Sequence, residues 1–270
     1  MTTYRVLQLT DLHVFADNHA TLKGIPTHAT LKSVVSRILE LDGQFDHVVI
    51  TGDHTHDELP ESYRLVRDSL QPWLDRLWQI PGNHDDRSVL RSVFSSRVCG
   101  TGADRINFVF SCGDWTCIGL DSHQPGQVPG LLGNDQIQWL KNTIADCASP
   151  RLALFIHHPP VRVGSVWMDR IGLQDASELQ SLIREQSRIR LVCCGHVHHE
   201  FEFTLSEAKI VTTPSTGIQF DPRGDAPTFV ADAPGWRIIE FTGMEFSTRV
   251  ERLPEVQYVP VSDYTGRGER

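Results

Sequence analysis

The sequence predicts a layered α/β protein, and three observations predict it. Over the first 200 residues, short apolar, β-branched runs alternate with stretches of helical apolar spacing. Nearly every one of those runs ends directly on an Asp, Asn or His. After residue 200 the helical spacing stops and short alternating runs replace it.

The elements follow in chain order. Arg5–Leu9 reads as a strand, and Leu31, Val34, Val35, Ile38 and Leu39 recur at helical spacing after Thr27–Thr30. Val48–Thr51, Leu77–Ile80 and Thr116–Leu120 are apolar runs of strand length. Ile137, Leu140 and Ile144 predict a helix capped by Asn134 and Asp135. Leu152–Ile156 is the next strand. Leu179, Leu182 and Ile183 follow Asp175, with Glu178 three residues on as in a capping box. Leu191–Cys194 is again apolar throughout. Helices between near-continuous apolar strands mean sheets covered on their faces. Phe201–Leu205, Lys209–Thr213 and Trp236–Phe241 predict short antiparallel strands and hence a second sheet. No linker or repeat divides residues 1–253, which read as one domain. The Pro/Gly-punctuated segment 254–270 reads as a tail.

Composition narrows the function. The 270 residues carry 25 Lys+Arg against 34 Asp+Glu, a formal net charge of −9, which disfavours a nucleic-acid polymer as partner. With 40% apolar and 22% charged residues the chain is not of disordered composition. No apolar run reaches the roughly 18–20 residues that span a bilayer, so no membrane partner is expected. The start lacks a basic segment followed by an apolar one, so the expected location is the cytoplasm. The six cysteines show no C-x-x-C pair and read as buried reduced thiols. Thirteen histidines are the compositional oddity.

The strand ends carry the chemistry. Leu9-Thr10 leads to Asp11 and His13, Ile50-Thr51 to Gly52-Asp53, and Ile80-Pro81 to Gly82-Asn83-His84-Asp85. Phe155-Ile156 leads to His157-His158, and Cys193-Cys194 to Gly195-His196 and His198. In α/β sheets ligands bind outside the carboxyl ends of the strands, so these clusters can meet at one point. Carboxylate, amide oxygen and imidazole together suit Mn, Fe, Co or Zn rather than Ca or Mg. Seven such groups are too many for one ion and fit two ions sharing a carboxylate. Two ions about 3.5–4 Å apart clamp an in-line attack on phosphorus. Glycines 52, 82 and 195 are expected to turn the backbone just before each cluster. Taken singly, Asp-x-His or Gly-Asp is an ordinary strand end or turn. An accident would need five coincidences at one sheet edge. His19, His28, His47, His123 and His199 read as surface residues without partners. His54 and His56 read as groups behind or at the rim of the cluster.

Asp11-x-His13, Gly52-Asp53, Gly82-Asn83-His84-Asp85, His157 and Gly195-His196-x-His198, in this order, resemble the calcineurin-like metallophosphoesterase superfamily. Phe15-Ala16, Leu22-x-Gly24, Ser165-x-Trp167-Met168-Asp169, Thr213–Thr216, Gln219-Phe220 and Ala233–Arg237 extend the resemblance to the bacterial class III 3′,5′-cyclic-AMP phosphodiesterases. The resemblance implies a four-layer α/β/β/α sandwich with two mixed sheets. It implies Asp11, His13, Asp53 and His198 around one metal, and Asp53, Asn83, His157 and His196 around a second, with Asp53 bridging. His157 rather than His158 matches the family ligand. The implied metals are iron and manganese first, with zinc or cobalt as alternatives. His54 stands where the family more usually has an apolar residue.

The implied chemistry is hydrolysis of 3′,5′-cyclic AMP to 5′-AMP by in-line attack of a metal-bridging hydroxide. His84, beside the ligand Asn83, would stabilise or protonate the departing 3′ oxygen, with Asp53 the other catalytic residue. Substrate contacts are expected from His13, Asp53, Asn83, His84 and His198. Ser165–Asp169 and Thr213–Phe220 are candidate pocket walls, where Trp167 or Phe220 either stacks on a purine or is simply core. The alternative enzyme is a glycerophosphodiesterase or another small-phosphodiester hydrolase. From another class, a non-catalytic scaffold of this fold would be expected to have lost ligand histidines. The expected partners are a cyclic nucleotide or other small phosphodiester and, at most, a second copy of the chain.

Overall fold

Alternation along the strands dictates the layers. In β1 (Thr3–Leu9) Val6 points one way and Leu7 and Leu9 the other, and in β2 (His47–Thr51) Val49 opposes Val48 and Ile50. β6 (Arg151–Ile156) sends Ala153 and Phe155 to one face and Leu152, Leu154 and Ile156 to the other. These are strands buried on both sides, as a sheet needs when another sheet covers one face and helices the other. The computed structural model describes residues 2–42, 44–95, 98, 104–223 and 225–261.

Two sheets meet face to face. The first joins β1 and β2 to β3 (Leu77–Ile80), β12 (Gly235–Thr242) and β13 (Glu245–Arg252), in the order β13-β12-β1-β2-β3. The second joins β6 to β4 (Phe108–Cys112), β5 (Trp115–Leu120), β7 (Ile189–Cys194), β8 (Phe201–Leu205) and β9 (Ala208–Thr212), in the order β4-β5-β6-β7-β9-β8. A ribbon of β10 (Gln219–Phe220) and β11 (Phe229–Val230) stands apart. Val6, Val49, Phe110, Trp115, Phe155 and Phe241 belong to the core between the sheets. Outside the first sheet lie α1 (Thr27–Asp42), α2 (Pro60–Ser69) and α3 (Arg87–Val93), whose Leu31, Tyr63 and Leu90 share a core with Leu7 and Ile50. Outside the second lie α4 (Gly133–Asp146) and α6 (Ala176–Glu185), packing Leu140 and Leu179 with Leu154. The result is an α/β/β/α sandwich of two mixed sheets. The short α5 (Val166–Arg170) sits in a connecting loop.

The three strands expected after residue 200 do not form a sheet of their own. β12 pairs antiparallel with β1, while β9 pairs parallel with β7 and only its other edge, to β8, is antiparallel. Two caps also differ from expectation. Asn134 and Asp135 lie inside the first turn of α4, whose leading N–H groups at Leu132 and Gly133 donate to the Asp175 carboxylate at 3.0 and 2.7 Å. Asp175 is thereby diverted from its own helix, and Glu178 accepts from Ser177 instead of closing a capping box. α2, α3, β4 and β13 have no counterpart among the expected elements. Cys112, Cys117, Cys193 and Cys194 are buried free thiols, Cys147 is half-buried, and Cys99 lies outside the described residues. β13 ends at Arg252, and residues 254–261 carry no helix or strand.

One buried side chain ties the sheets together. The Arg237 guanidinium of β12 donates to Thr212 O at 2.8 Å, Thr213 Oγ1 at 3.0 Å and Thr248 Oγ1 at 3.0 Å, so both sheets are bonded through it. Arg237→Met keeps the stem and removes the donors, stranding a buried carbonyl. A loss of about 2–4 kcal/mol is expected in urea unfolding, with the slope unchanged.

Candidate metal centre

Five strand ends deliver the polar clusters to one place. Asp11 follows β1, Asp53 follows β2, Asn83 follows β3, His157 follows β6 and His196 follows β7. The backbone is forced into unusual conformations to do this. Eight non-glycine residues have positive φ among the described residues, and five are Asp11 (53°), His13 (47°), Asp53 (53°), His196 (70°) and His198 (51°). Such conformations cost about 1–3 kcal/mol each and persist where the surroundings impose them. The expectation that glycines turn the chain before each cluster holds at Gly52 (φ 97°). Gly195 answers to space instead, since a Cβ there would meet Thr10 Oγ1 and Asp11 Oδ2.

The donor atoms converge. His13 Nε2 lies 3.1 Å from His198 Nε2 and 3.5 Å from Asp53 Oδ2, and His198 Nε2 lies 3.2 Å from Asp11 Oδ1. On the other side Asn83 Oδ1 is 3.2 Å from His157 Nε2 and 3.1 Å from His196 Nδ1, and His157 Nε2 is 3.5 Å from Asp53 Oδ2. Asp53 Oδ2 therefore belongs to both groups. Metal–ligand bonds of about 2.0–2.2 Å put neighbouring donors about 3.0–3.5 Å apart, so this spacing fits a cation in each group.

Hydrogen bonds behind the cluster set the tautomers. His157 donates Nδ1–H to Thr51 O at 2.7 Å, His198 donates Nδ1–H to Ile218 O at 2.8 Å, and His196 donates Nε2–H to Ile171 O at 3.1 Å. Each bond leaves the opposite nitrogen's lone pair facing inward. His158 has no such nitrogen to spare, because Nδ1 bonds Ser122 Oγ at 2.8 Å and Nε2 bonds Val128 O at 2.9 Å.

Charge completes the fit. Burial, reinforced by neighbouring imidazoles, pushes His13 well below the ordinary histidine range and His196 down to about 3, so both are neutral, as ligation requires. Burial works against ionised Asp11, but His198 and His157 with the Thr10 hydroxyl hold it at about 2. Asp53 is pushed up by burial, with Asp11 and Asp85 adding to the repulsion. A pair of cations would relieve that repulsion.

His84 is half-buried at the rim; its N–H donates to Asp53 Oδ1 at 2.8 Å, and its ring nitrogens have no partner among the described residues. His54 is wholly buried rather than at the rim, bonding Asp85 Oδ2 through Nδ1 at 3.0 Å and Gln79 Oε1 through Nε2 at 3.0 Å. It fills an apolar position because Asp85 and Gln79 are there to meet it. Of the five histidines expected on the surface only His19 is exposed. His28 bonds Asn18 and Ser69, His47 accepts from Trp78, His123 is buried and His199 bonds Val197 O.

Of the two candidate walls, 213–219 is support. Its residues are buried, and Ser215 Oγ donates to Asp11 O at 2.6 Å. Phe220 lies flat on His198 at 4.1 Å and meets Trp167 edge-on at 5.2 Å, and both rings are half-buried beside the centre. Met168 and Asp169 do line a cleft of about 250 Å³, with Pro159, Val163 and His196.

The sequence profile of the calcineurin-like phosphoesterases matches residues 4–200, which takes in all five clusters. The chain belongs to the calcineurin-like phosphoesterase family. Among curated relatives, this phosphoesterase is 30% identical to the 3′,5′-cyclic adenosine monophosphate phosphodiesterase CpdA of Escherichia coli K12, over 95% of this chain and 92% of that one. It is 32% identical to the protein of the same name from Pseudomonas aeruginosa, over 97% and 94%. Among solved structures, a dimetal phosphatase of Danio rerio superposes with a TM-score of 0.61 at 16% identity, covering 91% of this chain and 98% of that one. GAP50, the anchor in the inner membrane complex of Plasmodium, superposes with a TM-score of 0.57 at 12% identity, covering 95% and 87%. The fold thus carries both catalysts and an anchor.

The crowded carboxylates give a test. With metal stripped, Asp53→Asn is expected to melt above the wild type, because a buried repulsion is removed. With saturating Mn2+ the order should invert, since only the wild type gains the full binding free energy. Calorimetry in chelator and in Mn2+ reads both.

Proposed function

We propose that this phosphoesterase hydrolyses 3′,5′-cyclic AMP to 5′-AMP at a dinuclear centre. In this reading Asp11, His13, Asp53 and His198 hold one cation, and Asp53, Asn83, His157 and His196 the other; the mixed donor set suits Mn, Fe, Co or Zn, and the family resemblance puts iron and manganese first. The observation that carries it is the strained convergence of both groups on Asp53 Oδ2. The choice of cyclic AMP rests on relatives of that name, similar over nearly the whole chain and not in the metal motifs alone.

The bound pair would supply positive charge for the phosphodiester oxygens and lower the pKa of an attacking water. The chain's own residues do the rest. Thr51, Ile218 and Ile171 carbonyls hold three imidazoles in the ligating tautomer. His13, Asp53, Asn83, His84 and His198 border the space where a phosphodiester would sit. His84, fixed through its N–H on Asp53, has ring nitrogens free to hand a proton to the departing 3′ oxygen. Asp11 and Asp53 would be poor bases, because each accepts an N–H donor and would be held by a bound cation. The scaffold reading is disfavoured because every ligating position is filled.

Assayed with Mn2+ against cyclic AMP, 2′,3′-cyclic AMP and a glycerophosphodiester, the chain is expected to show its highest kcat/KM on cyclic AMP. A higher value on the glycerophosphodiester would move the substrate to the alternative, and no hydrolysis of any would favour the scaffold. His84→Ala is expected to keep two metals per chain while kcat falls about 10²–10⁴-fold. Metal analysis alongside turnover reads both halves.

A further inference from the structure

Three of the four ligating imidazoles are held by a backbone carbonyl; His13 is the exception. Its Nε2 faces Asp53 and His198, and its Nδ1 lies 3.3 Å from His56 Nδ1. With Nε2 turned to the cluster, His13 carries its hydrogen on Nδ1, so Nδ1–H donates to His56 Nδ1 and His56 bears its own hydrogen on Nε2. The segment holding His56 is bound to the one holding His13: His56 N–H donates to Val14 O at 3.1 Å, and Val14 N–H donates to His54 O at 3.2 Å. The His56 ring is packed between Phe15, at 4.7 Å, and His84, stacked at 4.7 Å with an interplanar angle of 20°.

His13, His56 and His84 also offer nitrogens close enough to hold an ion. That grouping makes no separate site, because both His13 nitrogens are committed, one to the cluster and one to His56.

We propose that His56 is a positioning residue that fixes the tautomer of the His13 ligand by accepting its Nδ1–H, and that by stacking on His84 it sets the plane of that ring. The proposal rests on the dinuclear reading above. It gives a role to His56, which follows Gly52-Asp53 and which the metal motifs leave unused. Other hydrogen-bond acceptors of similar reach at position 56 would serve His13 equally well, whereas apolar residues would not.

The test is equilibrium titration of the metal-free chain with Mn2+, counting bound metal. His56→Ala and His56→Phe both remove the acceptor, one leaving a void and one filling it and keeping a ring on His84. Both are expected to weaken one of the two equivalents about 10-fold or more and to leave the other unchanged. His56→Gln restores an acceptor and is expected to recover most of that affinity. Only His56→Phe should retain kcat once metal is saturating. Wild-type affinity in His56→Phe, or a His56→Gln as weak as His56→Phe, overturns the proposal. A wild type that binds fewer than two metals overturns the dinuclear reading itself, and is seen before any variant is measured.

Discussion

The carboxylate of Asp53 is fully enclosed, accepts an N–H from His84 on one oxygen, and presents the other to His13 and His157 at equal distance. Water cannot neutralise it there, and two further buried carboxylates, Asp11 and Asp85, stand near enough to raise its cost. Positive charge entering there would stabilise the arrangement. The carbonyls of Thr51, Ile218 and Ile171 and the left-handed turns hold the imidazoles of His157, His198 and His196 facing that carboxylate and its neighbours.

The cost of this geometry falls on the backbone rather than on side-chain packing. Asp11, His13, Asp53, His196 and His198 adopt φ values that Gly takes without strain. Two layers of buried apolar strands, from Val6 to Phe241, anchor the chain directly behind them. Rigidity at the sheet edge and strain at the ligands are one device seen from its two ends.

Much of this was legible in the residues. Runs such as Leu152–Ile156 are apolar throughout because both faces are covered, and the polar residue after each run marks the site edge. Sheet membership was not legible, because the pairing of β1 with β12 joins positions as far apart as Thr3 and Thr242, which no local pattern records. The capping role of Asp175 failed to show for a similar reason: its partners, Leu132 and Gly133, are far away in sequence. His54 was opaque because a buried imidazole is told from an exposed one only by its neighbours, here Asp85 and Gln79. α2 and β13 were missed because their apolar periodicity is diluted by charged residues on the solvent side.

The place of β1 has a consequence for synthesis. Its two edges are filled by β2, the next strand in the chain, and by β12, the last strand but one. A nascent chain therefore carries Asp11 and His13 just beyond a strand with one bare edge until residue 242 has left the ribosome. Every candidate ligand, up to His198, is thus translated before the strand that closes the sheet behind Asp11 and His13.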